Sequence, residues 1–457
     1  MTFNRRSILS AGVCAGVGLG ATAVAANAGQ AKAPPETPRP DANVDALGLE
    51  PNAAHDQTAL LQLAIDAAAA KDVPLALPPG TFRMRDLRLR AATRLTGAAR
   101  TTILQFIGGD ACITADKADG LVLKGLVIDG AFMAFDASRG EGVLTISNSK
   151  SIVIEDVEIR NSARGGLSLT GSGGRVSNIT ISDVLDFGLK SLDATGLDIH
   201  GNTISNCGNN GILVWRTETS EDGSTVTSNR VSKIRNAAGG TGEYGNGINV
   251  FRAGSVAVCN NRVSDCAFTA IRGNAASNIQ IIANSCERLG EVAIYSEFGF
   301  EGAVIANNIV DVAATGISVT NFNEGGRLAV IQGNLIRNLF RREHESEDKR
   351  GEGIGIEADA VVSGNTIEGA PTVGIQIGWG PYMRDVAATG NVIRGAKVGI
   401  SITSAPEAGA CLIANNLISK TQDGAIRRMT LGVTTGPDLA REPASLGRLT
   451  VTGNVAV

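Results

Sequence analysis

GNTIEGAPTVGIQI, residues Gly364 to Ile377, contains the unit from which most of the chain is built. A Gly precedes Asn365, Ile367 follows two places later, and nine residues after the Asn a Gly-Ile-x-aliphatic segment opens at Gly374. The Asn recurs at Asn202, Asn229, Asn261, Asn284, Asn308, Asn334, Asn391, Asn416 and Asn454. The second half recurs as GILV at Gly211, GINV at Gly247, AIRG at Ala270, AIYS at Ala293, GISV at Gly316, GIGI at Gly353 and GISI at Gly399. The step from Asn261 to Asn284 is 23 residues. Such a period marks a solenoid, in which each repeat packs only on its neighbours.

Composition agrees with short, tightly turned strands. The 457 residues include 57 Gly and only 4% aromatics, and β-branched residues dominate the apolar set. The formal charge is 41 − 45 = −4 with no basic stripe, which argues against duplex nucleic acid as a partner. Seven Cys without CxxC spacing and three His give a zinc site little to build from.

Residues 1–28 read as an export signal: Arg5-Arg6 precede Ser7-Ile8-Leu9, and an Ala/Gly/Val run leads to the small-x-small site Ala26-Asn27-Ala28. The paired arginines resemble a twin-arginine signal, with Asn4 and Ser10 departing from its usual pattern. That resemblance implies the twin-arginine export machinery as a partner and a periplasmic or secreted destination. Val13 before Cys14 makes a poor lipidation box, so no membrane anchor is expected after cleavage. Residues 29–44 read as a flexible linker, and 45–457 as one domain.

Within 45–84, Asp56 is placed to cap a helix starting near Gln57, with Leu60, Leu61, Ala64, Ile65 and Ala68 on one face. Lys71-Asp72 ends it, Val73–Leu77 is a short strand, and Pro78-Pro79-Gly80 stops that strand. Helix, strand and LPPGTFRM together resemble the N-terminal cap of the pectate-lyase-like superfamily. The resemblance implies an all-β, single-stranded right-handed parallel β-helix of about ten or more coils. A cap is physically required to cover the first coil. The pattern decays after Ile426, and 427–457 reads as a closing region.

In the repeat, the Asn reads as an inward ladder rung and the Gly and Ile as a turn and a core position. Cys207 and Cys266 each lie five places after a ladder Asn, matching Leu289, Ala313, Leu339, Ala370 and Ala396, so they read as core thiols two coils apart. Two inserts interrupt the rhythm before the Gly-Ile segment: 236–246, and a charged run within 341–352 that reads as a solvated loop. GTGEYG at Gly240 leads into a strand rather than a helix and is not a dinucleotide loop. His200 reads as a surface residue.

Alternation along each Gly-Ile strand assigns an outward set. Lys190, Asp193, Trp215, Arg216, Asn249, Phe251, Tyr295, Trp379 and Tyr382 are candidate substrate-binding residues. Arg252, Arg272 and Glu297 are the candidate catalytic row. Exposed rings beside charged and amide groups suit a sugar polymer, with cations favouring an acidic polysaccharide. The competing account is sheet stabilisation by cross-strand contacts. Resemblance to polysaccharide lyases, uronan epimerases and polygalacturonase-like hydrolases implies carbohydrate chemistry, but the Asp clusters near Gly-His-Gly and the Asp-Pro-His-Asp motif are missing. No cofactor or metal site is identifiable; lyase-type chemistry would bring in calcium. The whole chain resembles twin-arginine-exported β-helix repeat proteins, which implies a fold but no reaction. A non-catalytic, envelope-associated binding or structural β-helix remains the alternative.

Overall fold

A computed structural model describes residues 48–343, 350–441 and 447–457. The expected signal (1–28) and linker (29–44) lie outside the described residues. Helix α1, Thr58–Ala70, buries Leu61, Ala64, Ile65 and Ala68 over the first coil. Asp56 sits one place before the N-cap position, Gln57, and its carboxylate accepts the Thr58 N–H at 2.9 Å. Gln57 instead faces inward and exchanges two hydrogen bonds with the Glu50 backbone.

Beyond the helix the chain winds into three fifteen-stranded sheets, each taking every third strand. Pairing is parallel throughout, except for a closing antiparallel pair, Ile426–Thr430 with Val433–Thr435, at the end of the third sheet. The founding stretch belongs to a coil made of Ala358–Ser363, Thr366–Glu368 and Val373–Ile377. Ile367, Ile375 and Ile377 point inward, and Gln376 between them does not. Core residues stack on their own kind: Ile248, Ile271, Ile294, Ile317, Ile354, Ile375, Ile400 and Ile426 are register partners in sequence. The core is therefore a narrow column of interlocked aliphatics running the length of the solenoid.

The ladder Asn occupies the corner between the first and second sheets. Each carboxamide oxygen accepts two bonds from the Asn one coil earlier, one from its backbone N–H and one from its side chain. For Asn284 and Asn308 these are 2.9 and 3.0 Å. The Asn284 Nδ2 also donates to the Val258 carbonyl at 2.9 Å. The same bonds repeat from Asn202 to Asn454.

The Gly of the repeat has a different cause from the turn expected. A Cβ on Gly374 would lie 2.6 Å from both the Gly399 carbonyl oxygen and Ile393 Cγ2. Close approach between coils, rather than a left-handed turn, selects it. Cys207 and Cys266 are core residues as expected: Cys207 pairs with Ile234, which pairs with Cys266, so two coils separate them. The six cysteines among the described residues are free. Burial lifts the Cys286 and Cys411 thiols to about 12, which keeps them unreactive.

Replacing Asn308 by Ala strands the Asn284 backbone N–H and side chain in the interior. Each buried group left without a partner costs about 1–3 kcal/mol, so Asn308→Ala is expected to lose about 3 kcal/mol or more. Asn454→Ala, at the half-buried last rung, should lose about 1 kcal/mol. Urea unfolding midpoints check both, and equal losses at the two positions would contradict the ladder account.

Candidate functional site

The third sheet carries the outward residues singled out above. Arg88, Thr114, Thr145, Ser168, Lys190, Leu213, Asn249, Arg272, Tyr295, Ser318, Gly355 and Gln376 form one continuous register row. A second row, two residues on, runs Thr170, Leu192, Trp215, Phe251, Asn274 and Glu297. At about 4.8 Å per coil, Lys190 and Arg272 stand about 14 Å apart along the solenoid.

Within these rows an aromatic-cation cluster is centred on Trp215. Its ring meets Phe251 edge-on, with centroids 6.0 Å apart, and its indole N–H donates to Asn249 Oδ1 at 3.1 Å. The Lys190 ammonium lies 5.5 Å from the Trp215 ring and 5.8 Å from Phe187. Both oxygens of Glu141 hold that ammonium at 3.0 Å. Glu141 comes from a loop that leaves the second sheet after Val127–Asp129 and enters the third at Gly142–Ser147.

Two coils further along, Arg272 donates to Glu297 at 2.5 Å and to the Gly242 carbonyl, and lies over the Tyr295 ring at 5.3 Å. Gly242 belongs to the 236–246 insert, and its carbonyl also takes Asn246 Nδ2 at 2.9 Å. Glu297 is 5% exposed, and burial raises its carboxyl above the usual range despite the pull of Arg272. Burial, with the Glu291 and Glu297 carboxylates, also pushes the Tyr295 hydroxyl upward. Chemically, Arg272 is a fixed hydrogen-bonding platform, and Glu297 can hold a proton at higher pH than an exposed glutamate.

The second insert packs beside this cluster. Arg342 and Arg350 approach the buried Glu291 carboxylate at 3.4 and 3.3 Å, and Arg342 also lies over the Phe268 ring at 5.6 Å. The charged run expected to be solvated therefore sends two arginines onto the protein, with side chains 16% and 19% exposed. A buried carboxylate needs such partners. Residues 344–349 of this run lie outside the described residues.

Not every candidate joins the cluster. Asp193, Arg216 and Arg252 lie at the opposite strand ends, gathered around Thr217. Asp193 accepts from Thr217 at 2.9 and 2.7 Å, Arg252 donates to the Thr217 carbonyl at 2.7 Å, and Arg216 reaches Ala194 O at 3.0 Å. These bonds secure a bulge in strand Asn210–Glu221, where residues 216–219 are looped out before Ser220 and Glu221 pair again with Ala253 and Gly254. Arg252 also lies 4.8 Å from the Phe251 ring, but it takes no part in the Arg272–Glu297 ion pair. Trp379 and Tyr382 close a separate hairpin by a two-residue bridge, beyond Gln376 and about 14 Å from Tyr295 at coil spacing. The residues that sequence reasoning missed are Glu141, Glu291 and Phe268. A signal existed: Glu recurs at the strand entrance as EGVL, EVAI and EGIG at Glu141, Glu291 and Glu352.

Because the folded state holds the Glu297 proton longer than the unfolded chain does, this group stabilises at acidic pH and loses that contribution as pH rises through its raised value. Glu297→Gln should flatten the melting temperature between about pH 4 and pH 8. Arg272→Ala, which leaves a buried carboxylate unpaired, should lose about 3 kcal/mol at neutral pH and less under acid. Thermal melts across that range check the sign.

No curated protein matches the sequence. Among solved structures, the pre-mature gene product 12 of bacteriophage phi29 is similar at a TM-score of 0.56 and 14% identity. That match covers 87% of this chain, which spans 57% of the phage protein. The catalytic unit of the GH87 α-1,3-glucanase from Streptomyces thermodiastaticus gives 0.47 and 16%, covering 91% of this chain and 68% of its own. PfbA, a surface adhesin of Streptococcus pneumoniae, gives 0.46 and 15%, covering 86% and 93%. The family model described as "Right handed beta helix region" matches residues 102–243 and 210–393, so the chain belongs to the right-handed β-helix family.

Proposed function

We propose that the protein is an exported carbohydrate-binding β-helix that holds a polysaccharide along the outer face of its third sheet. The observation carrying this reading is the pair of adjacent register rows that sets Lys190, Trp215, Asn249 with Phe251, Arg272 and Tyr295 on five consecutive coils. Rings and fixed polar groups repeating at about 4.8 Å suit a ligand that is itself a repeat, because sugar C–H faces stack on rings and hydroxyls bond to amides and charges. Export rests on the twin-arginine-like leader.

Binding is better supported than turnover. Each cation of the central cluster already has a carboxylate: Lys190 has Glu141, Arg272 has Glu297, and Arg342 and Arg350 have Glu291. A lyase-type base must be free to take a proton, and a guanidinium held in this way is poorly suited to that role. Burial moves the Glu297 carboxyl upward, in the direction a general acid needs, which keeps epimerase, lyase or hydrolase chemistry as the second reading. The closed ion pairs also leave the cluster nearly neutral, so neutral glycans belong in the test beside the acidic ones.

Mature protein is to be run by affinity electrophoresis through gels containing acidic or neutral polysaccharides, with and without calcium. At least one polymer should retard it, and Trp215→Ala should weaken that binding about tenfold, the effect of losing one stacked ring. Parallel assays follow unsaturated uronide and reducing ends. Product formation abolished by Glu297→Gln would establish the catalytic reading. Absence of retardation by every polymer would sink the proposal.

A further inference from the structure

A second feature lies on the same sheet face, nearer the N-terminus. Helix α1 and the first coils enclose an open cleft of about 1230 Å³, larger than a typical small-molecule pocket. Its floor carries the hydroxyls of Thr114 and Thr145, from the row that leads to Lys190, and of Ser147 beside its register partner Asp116. Arg88 begins that row, four coils before Lys190 and hence about 19 Å from it. The loop that delivers Glu141 to Lys190 also delivers Arg139 to the cleft. One loop thus borders both regions.

The charges in the cleft are unequally committed. Asp56 pairs with Arg85 at 3.0 Å, Asp86 accepts the Ala111 N–H at 2.7 Å, and Asp116 accepts Asn148 Nδ2 at 2.8 Å. Arg90 is held by Asp66 at 3.0 Å. Arg88 and Arg139 are exposed, and neither makes an ion pair or a side-chain hydrogen bond among the described residues; Asp136, three residues from Arg139, acts on it only at longer range. Two uncommitted guanidiniums lining a cleft that also carries hydroxyls are groups suited to a flat, bidentate anion on a polyhydroxylated body.

We infer that this cleft is a subsite for an anionic saccharide, whose uronate carboxylate or sulfate ester is bound by Arg88 and Arg139 while the rest of the chain runs along the third sheet toward Lys190 and Trp215. The inference rests on the polysaccharide reading above. It adds the location and the charge of one end of the ligand, and it places the preference for acid away from the neutralised central cluster.

Calorimetry at low salt is to use three tetrasaccharides: a galacturonate oligomer, a sulfated oligomer and a neutral glucan. The anionic oligomers should bind, and Arg88→Ala/Arg139→Ala should weaken them about a hundredfold, about tenfold for each charge-assisted contact. Arg94→Ala, which alters an arginine paired with Asp72 outside the cleft, should change nothing. A preference between the two anionic oligomers assigns carboxylate or sulfate. Arg88→Gln/Arg139→Gln keeps side-chain bulk if the alanine pair fails to fold. Failure of both charged oligomers to bind, unchanged affinity in the double variants, or equally tight neutral binding would overturn the inference. If polymer retardation still depends on Trp215 in that event, only the cleft assignment is lost. If retardation is also absent, the polysaccharide reading falls with it.

Discussion

One carboxamide contact, repeated coil after coil, sets the geometry on which the rest of this protein depends. Each ladder Asn accepts two hydrogen bonds and donates to both the next Asn and an earlier backbone carbonyl. An Asn side chain has the complement of donors and acceptors to satisfy this corner. The alternative, a buried turn with unpaired amides, would cost about 1–3 kcal/mol per group. The ladder therefore locks the corner between the first two sheets and leaves little room for an insertion there.

Variation is displaced to the next corner. The 130–141 loop, the 236–246 insert and the 341–351 segment all join a second-sheet strand to a third-sheet strand. All three bring polar groups to the third-sheet face: Glu141 to Lys190, the Gly242 carbonyl to Arg272, and Arg342 and Arg350 to Glu291. Exposed ion pairs contribute little to stability, about 0–1 kcal/mol each, and buried ones need good geometry to break even. Stability alone is thus a weak reason to assemble three such arrangements on one face. Positioning of a ligand is a stronger one.

The legible part of the sequence was the part that repeats. Asn, Ile and Cys recur at fixed offsets, and their positions in the ladder and core follow from that spacing, as does the outward direction of Lys190, Trp215 and Arg272. The role of the repeat Gly was less legible, since a residue needed for close approach and one needed for a turn look alike in sequence; only the 2.6 Å separation from the next coil distinguishes them. The partners of the outward charges were hidden for a different reason. Lys190 and Glu141 are 49 residues apart, and Arg350 and Glu291 are 59 apart. These separations reflect loop paths that have no period. Arg252, judged from its strand position, proved to serve Thr217 because strand Asn210–Glu221 bulges between Trp215 and Ser220.

A solenoid of identical coils would present the same surface at every level and could not distinguish one part of a polymer from another. Here the third-sheet face changes character along its axis: an arginine-edged hydroxyl cleft beside the cap helix, an aromatic patch around Trp215, then a closed array of ion pairs from Arg272 to Arg350. Each zone is produced by a departure from the repeat, whether the cap, an insert or a substituted outward residue. The uniform ladder and core keep these departures in register at coil spacing, so that groups far apart in sequence act as neighbouring positions on one linear surface. On the proposed reading, directional recognition of a chain-like ligand would draw on that combination of a rigid ruler and graded chemistry, since this face passes from uncommitted arginines beside the cap to neutralised ones further along.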